Sequence, residues 1–480
     1  MFIIIAQLPA HKCIPEPELI FHPERQQDRH IHPLVGLVNY GPYSRSLVNH
    51  VLDPIRLGVI APHGGLQAID RLLNELEQRH KPRERTQYLI EYPGFSRVFG
   101  LRVIRLPNQE CIELPSQLDQ EIMKSERPNI FLAETITKAL ISMSAKRDSF
   151  DLLLIYLPLK WQDCFYGSQD EDFNLHDYFK AIGASYGMPL QILREDRVMN
   201  YACRCSVMWR LGTAIYCKAG GVPWKLADSD PDVAYIGISY AIRMTDGTPT
   251  FITCCSQVFD SDGAGMEFLL YEPDNVHLER DNPFLSQVEM RRVMARSLAL
   301  YQRRHSGQIP KRVVIHKSTE FKKEEADGCF EAWKATEGLE LIQIQQNVNW
   351  RGVLIEQPRN KGDRKGVPSL YPCSRGSYLQ ISGRDVLLWT QGNSSSVVGG
   401  KNYYKEGKSI PEPLLLCRFA GHGTWDEGCR NVLGLTKMNW NNDGLYDRLP
   451  VTMGYASILA RTIKRMNRLA PRPYQLRYFM

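Results

Sequence analysis

Basic side chains gathered in short stretches are the first chemistry this sequence offers. Arg291, Arg292, Arg296, Arg303, Arg304, Lys311, Arg312, Lys317, Lys322 and Lys323 fall within one region. Arg359, Lys361, Arg364 and Lys365 share a segment flanked by Gly and Pro, and Lys464, Arg465 and Arg468 lie near the end. Such residues neutralise phosphates without reading bases, although Lys and Arg on a helix are more often simply solvated. His176 and Lys180 are four residues apart, which places them on one face of a helix. Trp389–Asn393 and Leu435–Asp443 mix aromatic and amide side chains. These stretches suit contact with a single strand, or equally a loop closed by Asx turns. Carboxylates that could jointly hold a divalent metal are scarce. Asp246 and Asp262 stand beside glycines and read as turn residues, with Asp260 and Glu320 nearby.

The elements that must carry these residues alternate along the first half. Ile55–Ile60 reads as a strand, and Leu66, Ile69, Leu72, Leu73 and Leu76 recur at helical spacing within 66–79. A strand is expected at Leu152–Leu157, a helix around His176–Tyr186 that stops at Gly187, and a strand at Leu190–Leu193. Strands separated by helices argue for a parallel, doubly wound sheet. The polar linker Ala227–Pro231 marks the main boundary. Beyond it a hairpin is expected, Tyr235–Arg243 and Thr250–Val258 around the turn Asp246–Gly247. A helix over 287–306, a strand at Val313 and a last helix over 455–469 follow. The pattern alone gives the class, mixed α/β.

Composition sets outer bounds. At 480 residues and 43% hydrophobic content, two or three domains with real cores are expected. No 18-residue apolar span is present, so no transmembrane helix is expected. Met1–Ala6 lacks a basic leader and reads as a first strand, and a cytoplasmic location follows. Twelve cysteines contain no CxxC pair, and Cys203/Cys205 and Cys254/Cys255 miss zinc-ligand spacings. Reduced, buried thiols are expected. A net charge of +6 does not by itself announce nucleic acid.

Several landmarks occur in order: Gly36–Tyr43, Arg56–Ala61, Pro93–Phe95 with Phe99–Gly100, the turn Gly220-Gly-Val-Pro-Trp224, and Leu449–Ala456. Together they make the chain resemble short prokaryotic Argonautes, which consist of MID and PIWI domains. The resemblance implies a Rossmann-like MID domain over 1–226 followed by an RNase H-like PIWI domain over 227–480. An active PIWI nuclease places aspartates in the strand corresponding to Val233–Tyr240 and after the one beginning at Val313. Here those positions hold Ser239 and Ser318, and the fourth ligand position, after Tyr455-Ala456, holds Ser457. Two-metal cleavage needs anionic ligands, and neutral hydroxyls bind hard cations poorly. A chain without nuclease activity of its own is expected.

The resemblance also implies a guide 5′-phosphate site at His176, Lys180, Gln191 and Lys218. Met480 is implied as a ligand, through its terminal carboxylate, of a structural Mg²⁺ beside that phosphate. Backbone contacts fall to Arg292, Arg296, Lys317, Arg364, Lys365 and Lys464. The implied partners are a guide RNA with a 5′-phosphate and complementary single-stranded DNA from an invader. The implied effector is an APAZ-containing protein with a sirtuin-like or TIR NAD-consuming domain, and no membrane is involved. Two other readings remain open: a free-standing guide-directed nuclease with non-standard metal ligands, and a guide-independent nucleic-acid-binding protein.

Overall fold

A computed structural model describes residues 11–47, 51–167, 173–245, 248–259, 265–279, 282–356, 366–394, 402–404, 409–441, 444–466 and 473–480. The first half builds a parallel sheet with helices on its faces. Its main elements are β1 (Ile55–Ala61), α1 (Leu66–Leu76), β2 (Val103–Arg105), α2 (Pro128–Ser144), β3 (Leu152–Leu157), α3 (Leu175–Tyr186), β4 (Leu190–Arg194) and α4 (Arg204–Lys218). The strands run in the order β2-β1-β3-β4, all parallel. All six residues of β3 are buried, as a strand covered on both faces requires. In α1 the buried residues are Leu66, Ile69, Leu72 and Leu76, one apolar stripe. The expected strands and helices of this half are present, with α1 ending three residues earlier than its periodicity suggests.

The turn after α4 ties the halves together. Gly220 has φ +108°, and a Cβ on Gly221 would lie 2.2 Å from the Tyr216 ring, so both positions need glycine. Trp224 Nε1 then donates to the Lys437 carbonyl at 3.0 Å. Lys225–Leu226 pairs with Leu19–Ile20 in a small three-stranded patch.

The second half is organised by one ten-stranded sheet. Its elements are β5 (Val233–Thr245), β6 (Thr248–Phe259), β7 (Gly265–Tyr271), α5 (Gln287–Arg304), β8 (Arg312–Lys317), α6 (Lys323–Ala332), β9 (Gly338–Gln345), β10 (Ser377–Gln380), β11 (Asp385–Leu388), β12 (Leu414–Ala420), α7 (Trp425–Leu435), α8 (Val451–Ile463) and β13 (Tyr474–Gln475). From the edge strand Lys12–Cys13 the order runs β10-β11-β12-β9-β8-β5-β6-β7-β13. β5, β8 and β9 are parallel, while the β5–β6–β7 meander is antiparallel. The hairpin closes with Thr245 opposite Thr248, the two-residue connection expected at 246–247. Lys12–Cys13 pairs with β10 and extends this sheet at its edge.

Period-2 alternation separates the two faces of this sheet. Ala234, Ile236, Ile238, Val313 and Ile315 pack under α5 and α6. Val233, Tyr235 and Val314 face the other way, into a core shared with Tyr455, Leu459 and Ile463 of α8 and with the first half. The tail ends inside the protein, with Leu476, Phe479 and Met480 buried. The expected strand at Met1–Ala6 lies outside the described residues. Of the ten cysteines whose side chains are described, seven are buried and all ten are free thiols.

Candidate nucleic-acid interface

The four residues expected around a phosphate converge. Asn174 caps α3, accepting from the His176 and Asp177 amides at 3.0 and 3.3 Å, and Gly187 ends the helix at φ +67°. This sets His176 in the first turn and Lys180 one turn further along. Lys180 is 2% exposed. Its Nζ donates to the Leu190 carbonyl at 2.6 Å and to the main-chain oxygen of Met480. Lys218, at the end of α4, is 1% exposed, and its Nζ donates to Gln191 Oε1 at 2.5 Å. The buried tail therefore reaches the same spot as α3, β4 and α4.

Electrostatics here are unusual. Among the described residues neither Lys180 nor Lys218 forms an ion pair with an aspartate or glutamate. Burial brings Lys180 down to about 8, opposed by a hydrogen-bond interaction with Lys218 and by the charge of Asp177. Burial and the neighbouring Lys180 charge push Lys218 well below the lysine range. His176 keeps 53% of its side chain exposed, with Nδ1 3.3 Å from Asp177 Oδ1. Desolvation holds its imidazole below the ordinary range, and Lys180 and Lys218 add to that while Asp177 opposes. Asp177 also accepts from Arg461 Nε of α8 at 3.2 Å, a tie across the two halves. Two desolvated ammonium groups, an amide and an imidazole are the kind of donor set a compact anion takes.

Two of the three serines, Ser239 and Ser318, fall at neighbouring ends of β5 and β8. The β5–β8 register pairs Ile238 with Lys317, so one further step sets Ser239 beside Ser318. By alternation both share the face of Gly237 and His316. His316 is fully buried and its Nδ1 shares a 2.9 Å hydrogen bond with Thr452 Oγ1 of α8, the helix that contains Ser457. Burial lowers the His316 pKa to about 4, so its ring is neutral. Glu320 is engaged by Lys322 Nζ at 2.6 Å. Among the described residues no group of three or more His, Cys, Asp or Glu side chains could hold a metal ion. Asp246, Asp260 and Asp262 lie outside the described residues.

Lys317 corrects the expectation of a phosphate contact. Its side chain is wholly buried and binds Glu325 at 2.6 and 2.7 Å. The rings of Tyr240, Phe284 and Phe321 surround its ammonium at 4.8–5.5 Å. One residue past His316 on a strand means the opposite face, into the helix layer. Arg292 and Arg296 belong to α5, which covers that same opposite face, and are not brought together with the serines. Arg292 pairs with Glu289 at 2.8 Å and Asp274 at 3.3 Å, and Arg296 lies 4.6 Å over the Tyr271 ring. Lys464 is exposed just after α8. Arg364 and Lys365 lie outside the described residues. Local carboxylates pair with Lys311, Arg312 and Lys322 too, so much of the basic run is neutralised within the protein. The aromatic–amide stretches are folded loops where described. Trp389 is 6% exposed, and buried Lys437 pairs with Glu16 at 2.9 Å.

Sequence reasoning missed Asp177 and Arg461, whose pairing orients the first turn of α3. An acidic residue beside His176 was the only local signal.

No protein family description and no curated protein matches the chain. Solved structures do. Clostridium butyricum Argonaute bound to a guide DNA and a 19-mer target DNA aligns with TM-score 0.63 at 15% identity, over 98% of this chain and 55% of that one. A. aeolicus Argonaute aligns at 0.56 and 15%, over 98% and 56%. Aa-Ago with externally bound siRNA aligns at 0.58 and 14%, over 99% and 56%. The fold is that of the MID and PIWI domains of Argonautes: a Rossmann-like layer followed by an RNase H-like layer. The chain spans about half the length of these structures.

Proposed function

We propose that this chain holds a guide strand by its 5′-phosphate at Lys180 and Lys218 and uses it to recognise a complementary strand without cutting it. The buried lysine pair carries the reading. A dianionic phosphate supplies the negative charge these ammonium groups lack, with Gln191 and His176 completing the donors. The neighbour described as bound to guide and target DNA supports guide-directed recognition as the class of activity. We assign the guide as RNA and the target as single-stranded DNA from an invader. A structural Mg²⁺ beside the phosphate would take Gln191 Oε1 and the Met480 main-chain oxygen, hard oxygens that the Lys218 and Lys180 ammonium groups hold in this structure.

Cleavage is not this chain's task in this reading, because Ser239, Ser318 and Ser457 stand where two metals would need carboxylates. The output belongs to a partner, an APAZ-containing protein with a sirtuin-like or TIR domain that consumes NAD when the target pairs. The test is to purify the chain from its own cells and sequence what it carries. Short RNAs with 5′-phosphates and an NAD-consuming companion are expected; bare protein, or nucleic acid without 5′-phosphates, contradicts the assignment.

A further inference from the structure

Between β9 and β10 the chain leaves the large sheet and forms a separate two-stranded hairpin, Ile355–Glu356 against Val367–Pro368. Its register sets Ile355 opposite Pro368. The Ser369 amide donates to the Leu354 carbonyl at 2.8 Å, which continues the pairing by one step. Side chains alternate between the two faces of a strand. Val353, Ile355, Pro368 and Leu370 therefore share one face, with no polar side chain among them. All four are exposed, Leu370 to 98%. Leu354 and Val367, on the opposite face, are exposed too.

The hairpin is fixed at its base. A Cβ on Gly352 would lie 3.0 Å from the buried Trp389 ring, so the backbone packs on that indole, and Arg351 pairs with Glu412. Single exposed apolar side chains are ordinary, but a contiguous set on an anchored element marks a binding surface. A two-stranded hairpin is marginal by itself and gains stability when another layer covers its apolar face. Charge selects that layer. The ten residues joining Glu356 to Val367 contain Arg359, Lys361, Arg364 and Lys365 against one acid, Asp363. Two copies of this chain meeting here would bring basic segments together, which like-charge repulsion opposes. Nucleic acid suits the basic residues, but the aliphatic face offers no donor to a phosphate and no ring to a base. A protein surface can match both features.

We propose that the Val353–Ile355–Pro368–Leu370 face docks the partner chain, at a surface that is apolar at its centre and acidic beside it. This rests on the proposed function, in which a second polypeptide supplies the output.

The companion that purifies with the chain from its own cells, separated and titrated back onto the full chain, tests this. Leu370→Asp alters a side chain that packs on almost nothing, so the fold should survive it. It should weaken companion binding about tenfold or more and leave affinity for a 5′-phosphorylated strand unchanged. Ile355→Asp should do the same, and association should slow as salt rises. A companion bound equally by the unaltered chain and both variants overturns the docking face and leaves the proposed function standing. A companion that consumes no NAD but loses affinity for both variants upholds the face and refutes the proposed output. Self-association of the isolated chain, or its binding to anionic vesicles, abolished by Leu370→Asp would assign the face to a second copy or to lipid and overturn the proposal. A chain that leaves the cells with its guide but no companion overturns it as well.

Discussion

An ammonium group taken out of water destabilises the fold that holds it unless it is paired; Lys180 and Lys218 are both buried with no aspartate or glutamate ion pair among the described residues, Lys180 donating to a Met480 oxygen. Their burial is explained if an anion completes them, and two consequences follow at the scale of these residues. First, Lys218→Met removes the buried charge while keeping chain length and apolar packing. The strand-free protein should become more stable, by about 1 kcal/mol or more, and its affinity for a 5′-phosphorylated strand should fall about 10- to 100-fold. Thermal unfolding and filter binding on the same variant check both halves. Second, Lys180 titrates near 8 in the empty protein because burial disfavours its charged form. A phosphate favours that form, so affinity holds up to about pH 8 and declines above it. Binding at pH 8.5 should take up protons, measurable by calorimetry in buffers of different ionisation enthalpy. For the empty protein the sign is opposite: the cost of the buried charge is fully present below pH 8 and is relieved as pH rises toward the lysine's ordinary value.

Elements explain which parts of this arrangement were legible. α3 and β4 could be read because Gly187 and the apolar run at 190–193 are local signals, whereas the choice of His176, Lys180, Gln191 and Lys218 came from the resemblance. The β5–β6 hairpin was legible for the same reason, a two-residue connection between long apolar strands. Lys317 was not. A cluster of basic residues in sequence says nothing about strand parity, and on β8 a single step separates His316, under α8, from Lys317, under α5 and α6. The pairing of Lys12–Cys13 with β10 was also hidden, since a two-residue strand carries no register information across more than 360 residues. Removing the Lys317 ammonium should leave Glu325 buried and unpaired. Lys317→Ala is therefore expected to cost about 3–5 kcal/mol in urea unfolding, whereas Arg291→Ala, whose pair with Glu331 is exposed on both sides, should stay within about 0.5 kcal/mol. Equal, small effects would show that Lys317 is not the buried partner described.

For the whole molecule, the proposed function divides labour between a half that would grip one end of a strand and a half with Ser239, Ser318 and Ser457 where the resemblance implies nuclease ligands. The shared core and the Asp177–Arg461 pair keep the two halves in one frame, so a strand anchored at α3 is presented to the α8 side of the large sheet. With a matched guide and target, Mg²⁺ or Mn²⁺ should give no cleavage product on a sequencing gel. NAD should disappear only when the partner chain, guide and target are all present. Metal-dependent scission by the isolated chain would reinstate the nuclease reading.

The most direct measurement compares a guide carrying a 5′-phosphate with the same strand ending in a 5′-hydroxyl, by equilibrium titration at pH 7. The unaltered chain should prefer the phosphorylated strand by about 10- to 100-fold, and Lys180→Ala should abolish the preference. Equal affinity for the two strands would contradict the account.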